Sequence, residues 1–205
     1  MTDGTFKMDE RPHDIPAEVE TLGALNRWVL ERFQGRGRVL LWVLHDEAAL
    51  TPGEIAAWEG RPLSECGSLE FLSADPAALA RKTCKDVIEF LGRLEERSNQ
   101  TLHWIQDGKT ERALTGLQEC AEGWELVFAS YRDLLQLSGM DASTVEVGGK
   151  SLSDLARGLR PLLENMIREM ERANISALGT LLSQDLACYI PPMRDAFERI
   201  QLEWD

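Results

Sequence analysis

The chain has 205 residues, 43% of them apolar and 28% charged, so it is long enough to bury about 70% of its unfolded surface. Asp and Glu number 35 against 22 Lys and Arg, which gives a net charge of −13 at pH 7. A surface this acidic repels phosphate backbones and anionic lipid headgroups, so we expect neither a nucleic-acid partner nor a membrane partner.

Targeting signals and cysteine spacing indicate the compartment. Residues 1–10 carry no basic leader segment, and no apolar run of membrane-spanning length occurs in the sequence. We therefore expect a cytoplasmic protein. The cysteines contain no Cys-x-x-Cys pair, so reduced, buried thiols are expected in place of a zinc site or redox dithiol. They are Cys66, Cys84, Cys120 and Cys188.

The N-terminal third reads as strands, turns and one helix. Residues 5–8 and 13–15 predict a short hairpin around the turn-like Asp9-Glu10-Arg11-Pro12. Residues 20–33 predict a helix that ends at Gly35-Arg36-Gly37, because apolar residues recur at spacings of three and four. These apolar residues are Leu22, Leu25, Val29 and Phe33.

Two further strands follow the helix. Residues 38–45 form an apolar run rich in β-branched and aromatic side chains, which predicts a strand buried on both faces with Trp42 in the core. Residues 68–73 alternate between apolar and polar side chains, as a second strand would.

The order hairpin, helix, strand, irregular crossing and strand resembles the β-grasp fold of ubiquitin-like domains. The most similar stretch is Trp58-Glu59-Gly60-Arg61-Pro62-Leu63-Ser64-Glu65, followed by Ser68-Leu69-Glu70-Phe71-Leu72. The resemblance covers residues 4–74 and implies a fold without a function. Ubiquitin-like modifiers act through a free Gly-Gly tail, whereas the last strand here runs directly into a helix, so conjugation is not expected.

Helical periodicity dominates from Asp75 onward. Asp75 can cap a helix with Pro76 at its first position, and the helical stripe continues to Asp107-Gly108. A second helix is predicted from about Thr110 to Ser138-Gly139, with Trp124 on its apolar face. The short connection between the two helices predicts an antiparallel hairpin.

The last quarter of the chain predicts two more helices. Residues 144–147 form a short extended piece that could add to a sheet edge. A helix capped by Ser151 follows, in which Pro161 should cause a kink or a restart, and Pro191-Pro192 should bend the last helix. The fold class is thus α+β: a β-grasp-like domain over residues 1–74, then an antiparallel, mostly four-helix bundle over residues 75–205.

The same features resemble a family of uncharacterised bacterial proteins with an N-terminal ubiquitin-like domain followed by a helical bundle. The scattered matches are the Val-x-Val-Gly-Gly-Lys-x-Leu joint that begins at Val145 and the Asp-x-x-x-Tyr pattern of Asp185 and Tyr189 before the prolines. This resemblance implies an architecture only.

No catalytic, cofactor-binding or metal-binding residue is predicted. The three histidines have no His-x-x-x-His or Glu-x-x-His spacing, and no Gly-x-Ser-x-Gly elbow is present. Asp185 lies among leucines on the apolar side of the last helix, so Asp185 and Tyr189 are candidate buried polar residues. A buried carboxylate in such a position more often fixes helix register than acts as a catalytic acid.

The function favoured by the sequence is a protein-interaction or assembly module without catalytic activity. It would act through the β-grasp surface and its long amphipathic helices, and the helical region could also form a homodimer. Alternatives are a cytoplasmic export or assembly chaperone, and a ligand-binding protein or enzyme with a polar pocket around Asp185. Candidate partner-surface residues are Arg27, Trp28, Arg32, Trp58, Trp104 and Trp204.

Overall fold

In the computed structural model, which describes residues 6–204, the chain has an α+β fold, as the sequence predicts. The chain divides into two compact units, Met1–Leu79 and Ala80–Asp205. The first unit contains a mixed five-stranded sheet and one main helix, and the second is largely helical.

The first unit has the strand order of a β-grasp domain, β2-β1-β5-β3-β4. The central strands β1 and β5 run parallel, whereas β1 with β2, β3 with β4, and β3 with β5 are antiparallel. The elements are β1 (Phe6–Met8), β2 (Arg11–Pro12), α1 (Leu22–Gln34), β3 (Val39–His45), β4 (Ala48–Ala49), α2 (Pro52–Ala57), a 3₁₀ turn (Leu63–Glu65) and β5 (Leu69–Ala74).

The β1–β2 hairpin has a tighter turn than the sequence suggests. Asp9 and Glu10 alone form it, with φ angles of 50° and 66°, and Arg11 already pairs with Met8. Two residues in the left-handed region are what a two-residue hairpin turn requires. The predicted four-residue turn is therefore wrong, and Thr5, the expected start of the first arm, lies outside the described residues.

Helix α1 covers one face of this sheet. Its N-cap is Thr21, whose hydroxyl accepts a hydrogen bond from the Ala24 backbone N–H at 3.3 Å. The predicted apolar stripe is buried and shares a core with side chains from β1, β3 and β5. The sheet residues of that core include Phe6, Met8, Val43, Leu69 and Phe71.

The second unit is built on two long antiparallel helices, α3 (Pro76–Gln106) and α4 (Thr110–Ser138). Both match the predicted bounds, and Gly139, in the left-handed conformation with φ of 65°, ends α4. Ser98 on α3 lies 3.6 Å from the Cys120 sulfur on α4, and the predicted core residue Trp124 is 1% exposed. The antiparallel pairing predicted for these two helices is confirmed.

A small hairpin and a continuous helix follow α4. The two-residue strands β6 (Glu146–Val147) and β7 (Lys150–Ser151) pair with each other through Gly148-Gly149, so the extended segment forms its own sheet. Helix α5 (Leu152–Glu171) begins with Ser151 as its N-cap, as predicted. The restart expected at Pro161 is absent, because α5 continues through that residue.

The last helical path changes its winding before the two prolines. It contains α6 (Ile175–Thr180), a π-helical segment (Leu181–Leu186), a 3₁₀ turn (Ala187–Tyr189) and α7 (Ile190–Leu202). A proline offers no N–H and crowds the carbonyl four residues earlier, so a regular α-helix cannot run into Pro191 and Pro192. The π-helical segment and the 3₁₀ turn change the hydrogen-bonding pattern ahead of the two prolines. The helices of this unit share one apolar core, while a regular four-helix bundle stays a prediction.

Candidate functional site

The sheet face opposite α1 carries the most exposed aromatic side chain of the first unit. Trp42 on β3 is 56% exposed, and its cross-strand partner on β5 is Leu72. The next outward pair along the two strands is Leu44 and Glu70. These four residues, together with Leu41, are termed the outer sheet face.

A β-bulge places Trp42 on this face. The register of β3 against β5 shifts between Leu40 and Trp42, so Leu41 has no cross-strand partner of its own. Leu41 and Trp42 are 39% and 56% exposed, whereas Val43 on the opposite face is 3% exposed. The prediction of a strand buried on both faces with Trp42 in the core is therefore wrong.

The helix α1 surface predicted for a partner is partly occupied by internal contacts. The Arg32 guanidinium lies 5.2 Å from the centroid of the Trp28 ring, and Trp28 packs edge-on against Phe6 at 6.2 Å. Arg27 is exposed and pairs with Glu59 at 3.3 Å. Trp28 therefore closes the edge of the core, and the two arginines remain at the surface.

Trp58 follows α2 and is likewise held by neighbours. The Arg61 guanidinium lies 4.4 Å from its ring centroid, and the His45 ring meets it edge-on at 5.0 Å. The indole is half-buried. These contacts explain a tryptophan outside regular structure without requiring a partner.

Trp104 and Trp204 belong to the second unit, whereas the other four predicted surface residues belong to the first. Trp104 is half-buried beside the Arg97 guanidinium, at 5.7 Å. Trp204 packs against the helical core, and its carbonyl accepts a hydrogen bond from Arg81 at 2.6 Å. Within residues 6–204, the buried indole N–H of Trp204 has no hydrogen-bond partner.

Asp185 and Tyr189, the candidate polar pair of the last helical path, are both half-buried, and Tyr189 packs against the helical core. Asp185 falls in the π-helical segment, and its backbone carbonyl accepts a hydrogen bond from the Cys188 thiol at 2.9 Å. The Tyr189 hydroxyl lies against Gly158 of α5. Burial, followed by the nearby Cys188 and Asp185, raises the pKa of Tyr189. The prediction that Asp185 and Tyr189 are buried is therefore wrong in degree, because both side chains keep part of their surface exposed.

Three of the four cysteines are poor nucleophiles. Burial raises the pKa of the Cys84 thiol to about 11, and burial also raises the pKa of Cys66 and Cys120. Cys188 is exposed, so the prediction of a buried thiol is wrong at this position. None of the four cysteines forms a disulfide.

Metal binding and membrane insertion are two further functional classes to consider for the described residues. Residues 6–204 contain no group of three or more His, Cys, Asp or Glu side chains placed to hold a metal ion. Within the same residues, no helix combines the length and apolar character needed to cross a membrane.

Comparison with models of known protein families, with curated proteins and with solved structures found no match in any of the three. The β-grasp arrangement of the first unit is therefore assigned from its own strand order and pairing.

The outer sheet face is not among the surfaces predicted from the sequence. One signal was present, because Leu72 shares the alternation phase of Glu70 and opposes that of Leu69 and Phe71 in β5. An apolar residue on the polar side of an alternating strand indicates a face that could accept a partner.

Proposed function

We propose that this chain is a protein-interaction or assembly module of the cytoplasm, without catalytic activity of its own. Its first unit binds another protein through the outer sheet face. The observation that carries this proposal is Trp42, a large aromatic side chain that is 56% exposed on strand β3 of the sheet.

The chemistry of this face favours a partner that contributes an apolar segment. Trp42 and Leu72 form a cross-strand pair, and Leu41 adds a second exposed side chain beside them. Exposed aromatic anchors with aliphatic neighbours contribute much of the binding energy at protein interfaces. Glu70, paired in register with Lys7 of β1, gives the face a polar edge.

The main-chain geometry makes the surface rigid enough for binding. Trp42 and Leu72 pair with each other across β3 and β5, and the adjacent Val43 and Phe71 anchor the opposite face of the two strands in the core. A side chain presented by a paired strand loses little backbone freedom when a partner binds. Binding energy at Trp42 is therefore not offset by the ordering of a loop.

The proposal is tested with the full chain and a Trp42→Glu variant. The wild-type chain is expected to capture one stoichiometric protein from cytosol, which is then purified and titrated against both chains. Trp42→Glu is expected to weaken the measured affinity by about 30-fold or more, which is the loss of one interface anchor.

A matched control is Leu202→Glu, which places the same charge at another exposed apolar residue, 70% exposed in α7. This variant should bind the purified partner as the wild-type chain does. Equal affinity of Trp42→Glu and the wild-type chain for that partner would remove the outer sheet face from the proposal. A wild-type chain that captures no stoichiometric protein would remove the proposed function itself.

A further inference from the structure

The long helices α3 and α4 leave an apolar groove of about 260 Å³ between them. Gly123 allows close approach there, since a Cβ on it would lie 2.9 Å from Leu94 Cδ1 and 3.4 Å from the Phe90 ring. Leu126, on the rim, is 53% exposed. The apolar lining is Val87 and Phe90 from α3, with Leu126 and Val127 from α4; it is termed the helix-pair groove.

Two opposite charges line this groove on α3. Asp86 and Arg93 are seven residues apart, which is two helical turns or about 10 Å along the axis, and Phe90 lies between them. Asp86 pairs with Lys82 at 2.6 Å, and both side chains are exposed. The Arg93 guanidinium lies 5.6 Å from the Phe90 ring centroid, and within residues 6–204 no carboxylate pairs with it.

This order of charges is self-complementary. A two-fold axis perpendicular to α3, midway between Asp86 and Arg93, would carry each charge of one copy to the level of its opposite in the other copy. Two equal ion pairs would then flank an apolar centre formed by Phe90 and Leu126 of both copies. A two-fold dimer interface requires one patch that is complementary to itself.

We propose that a second copy of this chain occupies the helix-pair groove, with the two α3 helices antiparallel and Asp86 of each copy facing Arg93 of the other. The net charge of −13 on each copy opposes association. The two cross-copy ion pairs offset that repulsion, together with the burial of Phe90 and Leu126 from each copy, since Val87 and Val127 are already buried in the single chain. The helix-pair groove shares no residue with the outer sheet face.

Charge reversal gives a test specific to this symmetry. Arg93→Glu places like charges opposite each other twice in its dimer, and so does Asp86→Arg. Each variant alone is expected to weaken dimerisation by about tenfold or more, because like charges in an interface are strongly unfavourable. An equal mixture of the two variants restores both opposite-charge contacts, so it should form a heterodimer with affinity near that of the wild-type chain.

The measurement is sedimentation velocity over a range of concentrations of the full chain, at about 0.15 M salt, where the Debye length is about 8 Å. The control reverses an exposed ion pair on another helix, Arg160 and Glu164 of α5, whose atoms lie 3.1 Å apart. Arg160→Glu and Glu164→Arg should each leave the dimer affinity unchanged. Circular dichroism of every variant should show the wild-type helix content.

Several results would overturn the inference. A wild-type chain that stays monomeric at its highest soluble concentration excludes the dimer. A dimer that neither reversal weakens uses another surface. If both variants weaken the dimer but their mixture does not restore it, the facing of Asp86 and Arg93 is wrong. Leu126→Gln, which removes an apolar rim contact without adding charge, should also weaken the dimer, and an unchanged affinity would contradict the groove.

Discussion

The carboxylate of Asp9, in the β1–β2 turn, accepts hydrogen bonds from both the backbone N–H and the hydroxyl of Ser73 on β5, at 2.7 and 2.8 Å. Arg38, just before β3, donates from Nε to the same hydroxyl at 2.6 Å and lies 3.5 Å from Asp9. One serine thus ties the turn, the last strand and the start of β3 together. The network fixes the end of the sheet where β1 and β5 run parallel.

Replacing Asp9 should loosen this end of the sheet. Asp9→Ala removes the acceptor for the Ser73 N–H and places alanine at a φ of 50°, so we expect a loss of about 1 kcal/mol in the free energy of unfolding. The half-exposed setting of Asp9 keeps the loss small. Asp9→Asn retains an acceptor and tolerates the left-handed conformation, so it should lose less. Urea titration of both variants measures this, and an Asp9→Asn loss equal to that of Asp9→Ala would contradict the hydrogen-bond account.

Two glycines in the long helices should respond in opposite ways to alanine. A Cβ on Gly116 of α4 would collide with the Thr101 hydroxyl and lie 3.1 Å from the Trp104 ring, whereas a Cβ on Gly92 of α3 would meet nothing within 4 Å. Gly116→Ala should therefore lower the free energy of unfolding by about 1–3 kcal/mol through overpacking. Gly92→Ala should raise it by about 0.5–1 kcal/mol, because alanine favours the helix. Thermal and urea unfolding of the two variants measure the direction of each change in the free energy of unfolding. A stabilising Gly116→Ala would disprove the close packing at Thr101.

The buried thiols should make the fold sensitive to alkaline pH. Burial raises the pKa of Cys84 from its ordinary value near 9.0 to about 11, so the folded state keeps the proton longer than the unfolded chain. Below pH 9.0 the Cys84 thiol is protonated in both states, so the free energy of unfolding keeps its full value. As the pH rises toward 11 the unfolded chain loses this proton first, and the free energy of unfolding falls by an amount on the order of 2 kcal/mol from this one group. The pKa values of Cys66, Cys120 and Tyr131 are also raised by burial and act in the same direction.

Cys84→Ala separates the contribution of this thiol from the others. The variant is less stable at pH 8, because it leaves a cavity in the core. Its free energy of unfolding should nevertheless fall less steeply between pH 9 and pH 10.5 than that of the wild-type chain. Urea midpoints across this range give the slope. Parallel pH profiles for the two chains would show that the folded state does not hold the Cys84 proton more tightly.

The long helices could be predicted from sequence because their signals are local. Asp75 and Pro76 mark the start of α3, and Gly139 stops α4 through a left-handed residue. Trp42 could not be placed in the same way. The bulge that turns it outward arises from the register between β3 and β5, which are separated by some 25 residues in sequence.

The burial of Asp185 could not be predicted from its helical phase either. Its helical phase relative to Leu182 and Leu186 assumes a constant turn of 100° per residue, and the π-helical segment changes that turn. The prolines that cause the change were visible, but the residues that would absorb it were not. A bend was therefore predictable near Pro191, whereas the half-buried position of Asp185 was not.

Glu169 joins α5 to α6 and is the most buried carboxylate of the described chain, 7% exposed. It accepts hydrogen bonds from the Asn174 side-chain amide at 2.6 Å and from Arg172 at 3.0 Å. Asn174 in turn caps α6 by accepting the Ala177 backbone N–H at 3.3 Å. One buried carboxylate therefore positions the residue that starts the next helix.

Removing this carboxylate should destabilise the joint. Glu169→Ala is expected to lower the free energy of unfolding by about 2 kcal/mol, which is typical of lost hydrogen bonds to a charged group. The exposed neighbour Glu171 provides the control, and Glu171→Ala should change stability by less than about 0.5 kcal/mol. In a double-mutant cycle with Asn174→Ala, the two losses should sum to more than the loss in the double variant, because both residues support the same cap. Additive losses would show that Glu169 and Asn174 act independently.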